Sequence, residues 1–357
     1  YNMSGWVTRR QQMERHIVVI GSGPGGFAAA LEAVRAQVRV TVVERDALGG
    51  TCLNRGCIPS KTWRTAAEMV ERLGGAGDFG VDPEGEIRFD PVRLLQKKRS
   101  VVEMLREGME TRLRHAGVRF LSGIATPDGP RGVMVRRADG AAEKLRTDSL
   151  IFACGSRTAE CPGLPFRKGM VLSTDDALEL SERPRSVLIV GGGANGCEFA
   201  SILSALGVGV TLVEAAPRLL PSHRVDADVA AALMREMKKR GIAVRVNHAV
   251  AGSEVTEDGV KVQIRRSSSD EMVTESADMA IVATGRRPAD GLEEWKRFGL
   301  DCDGVGWIRV NIRLETVMEG VYAVGDALGP VRPMLAHVAS MEGMAAAANA
   351  LGGNVLP

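Results

Sequence analysis

The sequence places two cysteines five positions apart, Cys52 and Cys57, and a serine and a lysine follow them at Ser60 and Lys61. Thiols at this spacing could ligate a metal, form a disulfide that opens and closes in catalysis, or simply be two buried thiols on a helix. Structural zinc takes four ligands, often as two close pairs. None of the other cysteines or the five histidines forms a spaced pair with these two, so we predict no metal site.

A disulfide between the two cysteines would need an interrupted helix. In a regular α-helix, residues five apart have Cα atoms about 8.5 Å apart, which exceeds the roughly 7 Å limit for a bridge. Gly56 directly precedes the second cysteine, and Pro59 fits only a helix that begins nearby. Arg55 adds a cation, which makes a nearby thiol more reactive. These residues favour the hypothesis of a redox-cycling pair, and two buried thiols remain the alternative.

The surrounding sequence contains two copies of a strand–turn–helix–strand unit, at 16–44 and 187–214. In such a unit, the first glycine permits a tight turn, the second lets the backbone approach a pyrophosphate, and the third lets the helix pack on the strand. An acid ends each second strand, where it can bind a ribose diol. The residues concerned are Gly21, Gly23, Gly26 and Glu44 in the first copy, and Gly191, Gly193, Gly196 and Glu214 in the second. Since the first glycine and the acid are 23 residues apart in both copies, we predict two dinucleotide sites.

Short apolar strands that end in a glycine complete the pattern. "LIFACGS" (150–156) and "AIVATGR" (280–286) are a second repeated element, and "GVYAVGDAL" (320–328) ends in Asp326, which could bind a polyol. The second unit therefore interrupts the first. We predict an α/β fold with two Rossmann-like dinucleotide-binding domains, one inserted into the other.

Composition limits the functional classes. A length of 357 residues predicts two or three domains. The net charge of +2 and the 4% aromatic content argue against a nucleic-acid partner. No run of residues is apolar enough to span a membrane, and the first sixteen residues lack the apolar core of a signal peptide. We therefore predict a cytoplasmic protein.

The stretch "GGTCLNRGCIPSK" (49–61), both glycine units, "ATGRRP", "GVYAVGDA" and "PMLAHVASMEG" together resemble the flavoprotein disulfide reductases, and the dihydrolipoamide dehydrogenases among them most closely. The resemblance extends from Ile17 to about Gly352. It implies an FAD-binding domain formed by 1–157 and 288–357, and an inserted NAD-binding domain at 158–287.

The resemblance also implies roles for individual residues. Cys52 would be the outer thiol that meets the substrate, and Cys57 the inner thiol beside the flavin. Lys61, next to the flavin, would pair with Glu198, in the first turn of the second unit's helix. The implied FAD-binding residues are Gly21, Gly23, Gly25, Gly26, Glu44, Gly50, Thr51, Cys52, Lys61, Gly123, Cys154, Gly155, Ser156, Asp326, Met334, Leu335, Ala336 and His337. The implied NAD-binding residues are Gly191, Gly193, Gly196, Glu198, Glu214, Val250 and Gly285.

Two details refine this assignment. Family members usually have threonine where this chain has Cys154, a departure that a backbone contact to the cofactor should tolerate. An acid at Glu214 suits the free ribose 2′-hydroxyl of NAD and would repel the 2′-phosphate of NADP.

The implied reaction is the oxidation of dihydrolipoamide groups to lipoamide, with NAD⁺ as the acceptor. The implied partners are a lipoyl-bearing protein or a small disulfide, and a second copy of the chain in a homodimer. In the family, a C-terminal dimerisation domain supplies the histidine that acts as acid and base. The resemblance implies that such a domain would begin where this sequence stops, so we expect either a fragment or a naturally short homologue whose base comes from a partner. His337 is not the equivalent of that histidine. The alternatives are a related disulfide or mercuric reductase, a diaphorase with slow lipoamide turnover, or a non-catalytic nucleotide-binding flavoprotein.

Overall fold

The structure is a computed structural model that describes residues 15–82, 85, 87–222, 224–269 and 271–357. The N-terminal stretch in which we predict no signal peptide lies almost wholly outside these residues. The chain divides into two compact units. The first contains the described residues up to Cys57 together with Val102–Arg157 and Arg287–Pro357, and the second contains Ile58–Val101 and Thr158–Arg286.

The elements alternate between strands and helices over much of the chain. The strands are β1 (His16–Ile20), β2 (Arg39–Glu44), β3 (Arg119–Ser122), β4 (Ile124–Pro127), β5 (Gly132–Arg136), β6 (Ala142–Arg146), β7 (Ser149–Phe152), β8 (Ser156–Thr158), β9 (Val171–Ser173), β10 (Ser186–Val190), β11 (Gly209–Glu214), β12 (Ala243–Val246), β13 (His248–Thr256), β14 (Gly259–Arg266), β15 (Met272–Ala277), β16 (Met279–Val282), β17 (Arg286–Pro288) and β18 (Val321–Ala323). The α-helices are α1 (Pro24–Arg35), α2 (Gly50–Arg55), α3 (Cys57–Gly74), α4 (Pro91–His115), α5 (Thr174–Ala177), α6 (Ala194–Ala205), α7 (Ala227–Lys239), α8 (Glu293–Arg297) and α9 (Ala336–Ala350), with 3₁₀ turns at Ala76–Phe79 and Gly325–Val331.

The first unit is built on a parallel sheet in the order β18–β7–β1–β2–β3. The strands β1 and β7 are buried on both faces, which suits their short, largely β-branched and apolar sequences. Helix α1 covers the sheet and packs closely on α9, because both helices have a glycine at the contact. A Cβ atom added to Gly343 would lie only 2.1 Å from the carbonyl oxygen of Gly25. The antiparallel sheet β4–β5–β6 completes this unit.

The second unit repeats the arrangement with a parallel sheet in the order β12–β11–β10–β16–β9. Its central strand β10 pairs with β11 on one side and with β16 on the other. Both pairings are parallel, as are the pairings of β1 with β2 and β7. The antiparallel sheet β13–β14–β15 packs its buried valines and isoleucine into a separate apolar cluster. Two glycine turns of the same kind therefore stand at the carboxyl ends of two equivalent central strands.

Within the described part of the chain, we find no helix with both the length and the apolar character that crossing a bilayer requires.

The first strand contains a buried histidine whose ring is fully engaged. In His16, Nδ1 lies 2.6 Å from the carbonyl oxygen of Arg146, and Nε2 lies 2.9 Å from Oγ1 of Thr41. Burial lowers the pKa of His16 below its ordinary value of 6.5. The folded state therefore keeps this ring neutral at a pH where the unfolded chain binds a proton.

We expect the free energy of unfolding to fall as the pH drops below 6.5, down to the lowered pKa of folded His16, because the unfolded state binds more protons over this range. Chemical denaturation at a series of pH values checks this. The variant His16→Gln should lose this part of the pH dependence, and His115→Gln, at an exposed histidine, should keep it. Parallel pH profiles for His16→Gln and the unaltered protein would contradict the assignment.

Candidate functional site

The first glycine turn is fixed by the close packing of strand, turn and helix. Gly21 has φ +100°, and a Cβ atom on it would lie 2.3 Å from the carbonyl oxygen of Ala153, at the end of the neighbouring strand β7. A Cβ atom on Gly26, in the first turn of α1, would lie 1.9 Å from the carbonyl oxygen of Gly21. Both positions therefore require glycine, as the fingerprint predicts.

Glu44 lies at the end of β2 and is held by the same turn. Its carboxylate accepts hydrogen bonds from the amide of Ser22 (2.8 Å), the hydroxyl of Ser22 (2.7 Å) and the amide of Asp46 (3.0 Å). The amide of Gly123 donates to the carbonyl oxygen of Glu44 at 2.8 Å, which brings another predicted FAD residue to this strand end. Sequence reasoning missed Ser22, whose hydroxyl also accepts a hydrogen bond from the amide of Gly49.

The second glycine turn has the same geometry. Gly191 has φ +110°, with a carbonyl oxygen 2.4 Å from its added Cβ, and an added Cβ on Gly196 would lie 1.8 Å from the carbonyl oxygen of Gly191. Gly193 has no other atom within 4 Å of an added Cβ, so the space beside it is open. The carboxylate of Glu214 accepts hydrogen bonds from the amides of Gly192 (2.6 Å) and Ala216 (2.7 Å). The two turns are structural repeats as well as sequence repeats.

Both turns fit a dinucleotide pyrophosphate. The helices α1 and α6 begin after Gly23 and Gly193, and neither receives a side-chain capping hydrogen bond. The amides of a helix's first turn have no partner within the helix, and they carry a partial positive charge that favours an anion. A glycine at the start of the helix lets a phosphate approach the backbone.

The cysteines lie on two helices rather than one. Helix α2 ends at Arg55, Gly56 adopts φ −134° and ψ −109°, and α3 begins at Cys57. A Cβ atom on Gly56 would lie 3.0 Å from the carbonyl oxygen of Thr51, which makes this glycine part of the break. The predicted interruption of the helix before the second cysteine is therefore confirmed. Pro59 is the third residue of α3, within the first turn, where a proline is tolerated.

The two cysteines differ in exposure, since Cys52 is partly buried and Cys57 is exposed. The assignment of Cys57 as the inner thiol, the one beside the flavin, stays a prediction. Two other cysteines are poor nucleophiles at neutral pH. Burial raises the pKa of Cys154 to about 12 and that of Cys197 to about 11.

Lys61 and Glu198 form the predicted ion pair. Nζ of Lys61 lies 2.7 Å from Oε1 of Glu198, and the two side chains are 57% and 26% exposed. An ion pair this exposed contributes only about 0–1 kcal/mol to stability. The position predicted for Glu198 was wrong by one turn. Because the extended residue Gly193 caps the helix and α6 begins at Ala194, Glu198 is the fifth helical residue and lies outside the first turn.

Asp326 lies at the start of the 3₁₀ turn after β18. Its Oδ2 accepts a hydrogen bond of 2.7 Å from the hydroxyl of Ser156, so the structure brings two predicted FAD residues together. The buried carboxylate of Glu342 holds the same turn by accepting from the amide of Gly325 (2.7 Å) and by pairing with Arg332 (3.1 Å). Sequence reasoning missed Glu342, although an acid in the alanine-rich sequence of α9 was a signal.

The remaining predicted residues lie on several elements. Met334 and Leu335 lead into α9, which begins with Ala336 and an exposed His337. Gly25 contacts α9, where an added Cβ would lie 3.1 Å from the carbonyl oxygen of Ala339. Gly155 has φ +69° and Gly285 has φ +125°. Val250 lies in β13, next to a bulge. Among the described residues, no cluster of histidine, cysteine and acidic side chains could hold a metal ion.

We expect Glu214→Ser to reduce the preference for NADH over NADPH by about 10- to 100-fold, because the carboxylate that would repel a 2′-phosphate is removed. Steady-state kinetics with both nucleotides and ferricyanide as the electron acceptor measures this ratio. Glu257→Gln, at an exposed turn, is the matched control and should leave the ratio unchanged. An unaltered preference in Glu214→Ser would contradict the assignment.

Known proteins share this architecture. A dihydrolipoyl dehydrogenase of Thermus scotoductus is 38% identical over 341 residues, which are 95% of this chain and 71% of that protein. Among solved structures, LpdA from Mycobacterium tuberculosis has a TM-score of 0.86 at 27% identity and covers 96% of this chain and 74% of its own. The HOCl-induced flavoprotein disulfide reductase RclA from Escherichia coli has a TM-score of 0.77 at 27% identity, covering 92% and 69%.

The family model described as pyridine nucleotide-disulphide oxidoreductase matches residues 15–343, which is most of the chain. The chain therefore belongs to the pyridine nucleotide-disulphide oxidoreductase family, which confirms the predicted α/β fold, the predicted FAD and NAD(H) cofactors and the predicted class of enzyme.

Proposed function

We propose that the protein oxidises dihydrolipoamide groups to lipoamide with NAD⁺ as the final acceptor. The observation that carries this proposal is the contact between the cysteine helix and the first glycine turn. A Cβ atom on Gly50, the first residue of α2, would lie only 2.7 Å from the Cα atom of Gly23. The helix bearing Cys52 thus begins against the turn that suits a dinucleotide, and relatives at 35–38% identity carry the name dihydrolipoyl dehydrogenase.

The thiol chemistry is a pair of exchange reactions. One substrate thiolate attacks Sγ of Cys52 in a Cys52–Cys57 disulfide and displaces the thiolate of Cys57. The second substrate thiolate then attacks the substrate sulfur of this mixed disulfide and expels the thiolate of Cys52. The substrate leaves as a disulfide, and both cysteines are reduced. FAD, held by the first glycine turn, Glu44 and Asp326, would supply a two-electron acceptor for this pair, with NAD⁺ as the final acceptor. The net reaction converts a dithiol and NAD⁺ into a disulfide, NADH and a proton.

Each cofactor has its own set of residues in this proposal. The first glycine turn, Glu44, Gly123, the Cys154–Ser156 segment and Asp326 would hold FAD, in a domain formed by 1–157 and 288–357. The second turn and Glu214 would hold NAD, in the inserted domain 158–287. Lys61, oriented by Glu198, would place its positive charge beside the flavin ring and favour the electron-rich reduced form.

The partner that fits this chemistry is a lipoyl group carried on another protein, and the working form that we propose is the homodimer implied by the family resemblance. A protein domain that carries a reduced dihydrolipoyl group should be oxidised to the disulfide form by the enzyme and NAD⁺, as read by mass spectrometry after alkylation. Light scattering of the purified protein measures whether two copies associate.

A panel of substrates tests the proposal. The FAD-loaded protein is assayed with NAD⁺ and dihydrolipoamide, with NADH or NADPH and glutathione disulfide, and with NADPH and Hg²⁺. We expect kcat/KM for dihydrolipoamide to exceed that for the other substrates by about 100-fold or more, since a site built for one disulfide discriminates strongly against others. A preference for glutathione disulfide or Hg²⁺ would overturn the assignment of the substrate. Ferricyanide reduction by NADH without any disulfide turnover would indicate a diaphorase.

A further inference from the structure

Asn54, located between the two cysteines, holds the start of its own helix. Its Nδ2 donates to the carbonyl oxygens of Ala47 (3.4 Å), Leu48 (3.0 Å) and Gly50 (2.8 Å). The side-chain amide of Asn54 therefore donates hydrogen bonds to three backbone carbonyl groups in and next to the loop that leads into α2. These hydrogen bonds connect the loop to the helix that contains Cys52.

The orientation of this amide is set from a distant part of the chain. Oδ1 of Asn54 accepts hydrogen bonds from Nε (3.3 Å) and Nη2 (2.9 Å) of Arg106, in α4. Nη1 of Arg106 is paired with Glu103 at 2.8 Å, and the arginine side chain is 32% exposed. Because a guanidinium only donates, it selects the amide oxygen and turns the NH₂ group towards the loop carbonyls. If the amide of Asn54 were flipped, its NH₂ group would face the guanidinium of Arg106, and two hydrogen-bond donors would oppose each other.

The loop needs such support because it is rich in glycine. Gly49 has φ +99° and Gly50 has φ +60°, so this segment has more conformational freedom than other residues would allow. The same Gly50 forms the contact with the first glycine turn. The Arg55–Asp46 ion pair also crosses this loop, but both side chains are about half exposed, and such pairs contribute little. Asn54 is partly buried, so its hydrogen bonds are less exposed to solvent than the Arg55–Asp46 pair.

We propose that Arg106 is a positioning residue for the Cys52–Cys57 pair, and that it acts through Asn54. The proposal rests on the thiol–disulfide exchange proposed above. Attack on a disulfide needs the reacting sulfur atoms in line, and small displacements of reacting groups cost large factors in rate. With Arg106 in place, Asn54 keeps the helix of Cys52 in one orientation against the dinucleotide turn. Without it, the amide and the loop can take other arrangements.

The test compares Arg106→Ala with Arg114→Ala, the same substitution at an exposed site on the same helix. The reduction of the disulfide is followed with dihydrolipoamide and with dithiothreitol, and FAD content and NADH–ferricyanide activity are measured in parallel. For Arg106→Ala we expect about tenfold slower exchange with both dithiols, a lower kcat with little change in KM, and FAD content and ferricyanide activity within about twofold of the unaltered protein. Arg114→Ala should match the unaltered protein throughout.

A double-mutant cycle separates the positioning role from a direct effect of the arginine charge. If Arg106 acts through Asn54, the variant Arg106→Ala combined with Asn54→Ala should be no slower than Asn54→Ala alone. Additive losses would overturn the proposal, and so would unchanged exchange in Arg106→Ala or an equal loss of FAD content and ferricyanide activity. If the unaltered protein exchanges with dithiothreitol but not with dihydrolipoamide, the proposed substrate is wrong. The dithiothreitol rates of the double-mutant cycle then decide whether Arg106 acts through Asn54. Exchange with neither dithiol would overturn both proposals.

Discussion

Replacing Cys57 by serine should lower the turnover of dihydrolipoamide by about 1,000-fold or more, because the pair can no longer form its disulfide and one of two thiols acting as a unit is lost. Cys52→Ser should lose as much. Reduction of ferricyanide by NADH should persist in both variants, since that reaction needs the dinucleotide sites and no thiol pair. The two steady-state assays, run on the same FAD-loaded preparations, measure this separation.

The same variants test the order of the two thiols. If Cys52 meets the substrate, Cys57→Ser should trap a mixed disulfide between Cys52 and an added lipoamide, and intact-mass measurement would detect the adduct. Cys197→Ser, at a buried cysteine outside the pair, is the control for the loss of one thiol and should retain dihydrolipoamide turnover. Dihydrolipoamide turnover within about tenfold of the unaltered value in Cys57→Ser would exclude the thiol mechanism.

The second large effect is expected at Gly26. In Gly26→Ala the new methyl group would lie 1.9 Å from the carbonyl oxygen of Gly21 and 3.2 Å from Cβ of Ala153. Backbone atoms cannot yield as a flexible side chain can, so α1 must move away from β1. We expect a loss of about 3 kcal/mol or more in the free energy of unfolding, together with loss of bound FAD, because the moved helix no longer presents its first amides.

Denaturation curves and the flavin absorbance of the purified variant check this expectation. Gly108→Ala is the matched control, since an added Cβ at Gly108, in helix α4, has no other atom within 4 Å. That substitution should stabilise the protein by about 0.5–1 kcal/mol by favouring the helix. If Gly26→Ala binds FAD stoichiometrically and unfolds like the unaltered protein, the glycine is not required for the turn.

The dinucleotide turns could be predicted because their constraints are local in sequence. Gly21, Gly26 and Glu44 belong to one strand–turn–helix–strand unit, and the steric reason for each glycine is independent of the rest of the fold. The break at Gly56 could be predicted for a similar reason, since a disulfide between Cys52 and Cys57 would need an interrupted helix and Gly56 directly precedes the second cysteine. The position of a residue within its helix was predicted less accurately than these turns. Glu198 lies one turn deeper than predicted because the extended glycine turn delays the start of α6.

Contacts between distant side chains could not be predicted. The sequence offers no reason to join Asn54 to Arg106, because the pairing depends on how α4 lies beside the cysteine loop, and many arginines are candidates. Glu342 reaches the amide of Gly325 only because Gly25 and Gly343 let two helices approach closely. These residues surround the predicted site, and no sequence motif identifies them.

The strand order of the first unit has a consequence for biosynthesis. The nascent chain makes β1 and β7 early, but their sheet is completed only by β18 (Val321–Ala323), which is synthesised after the whole second glycine unit and the strands that follow it. Helix α9, which covers Gly25, emerges later still. At about 5–20 residues per second, the unpaired edge of β7 stays open for on the order of ten seconds or more. Chains released before β18 is made would therefore expose a β edge with unpaired backbone hydrogen-bonding groups. We expect such chains to depend on chaperones and to aggregate.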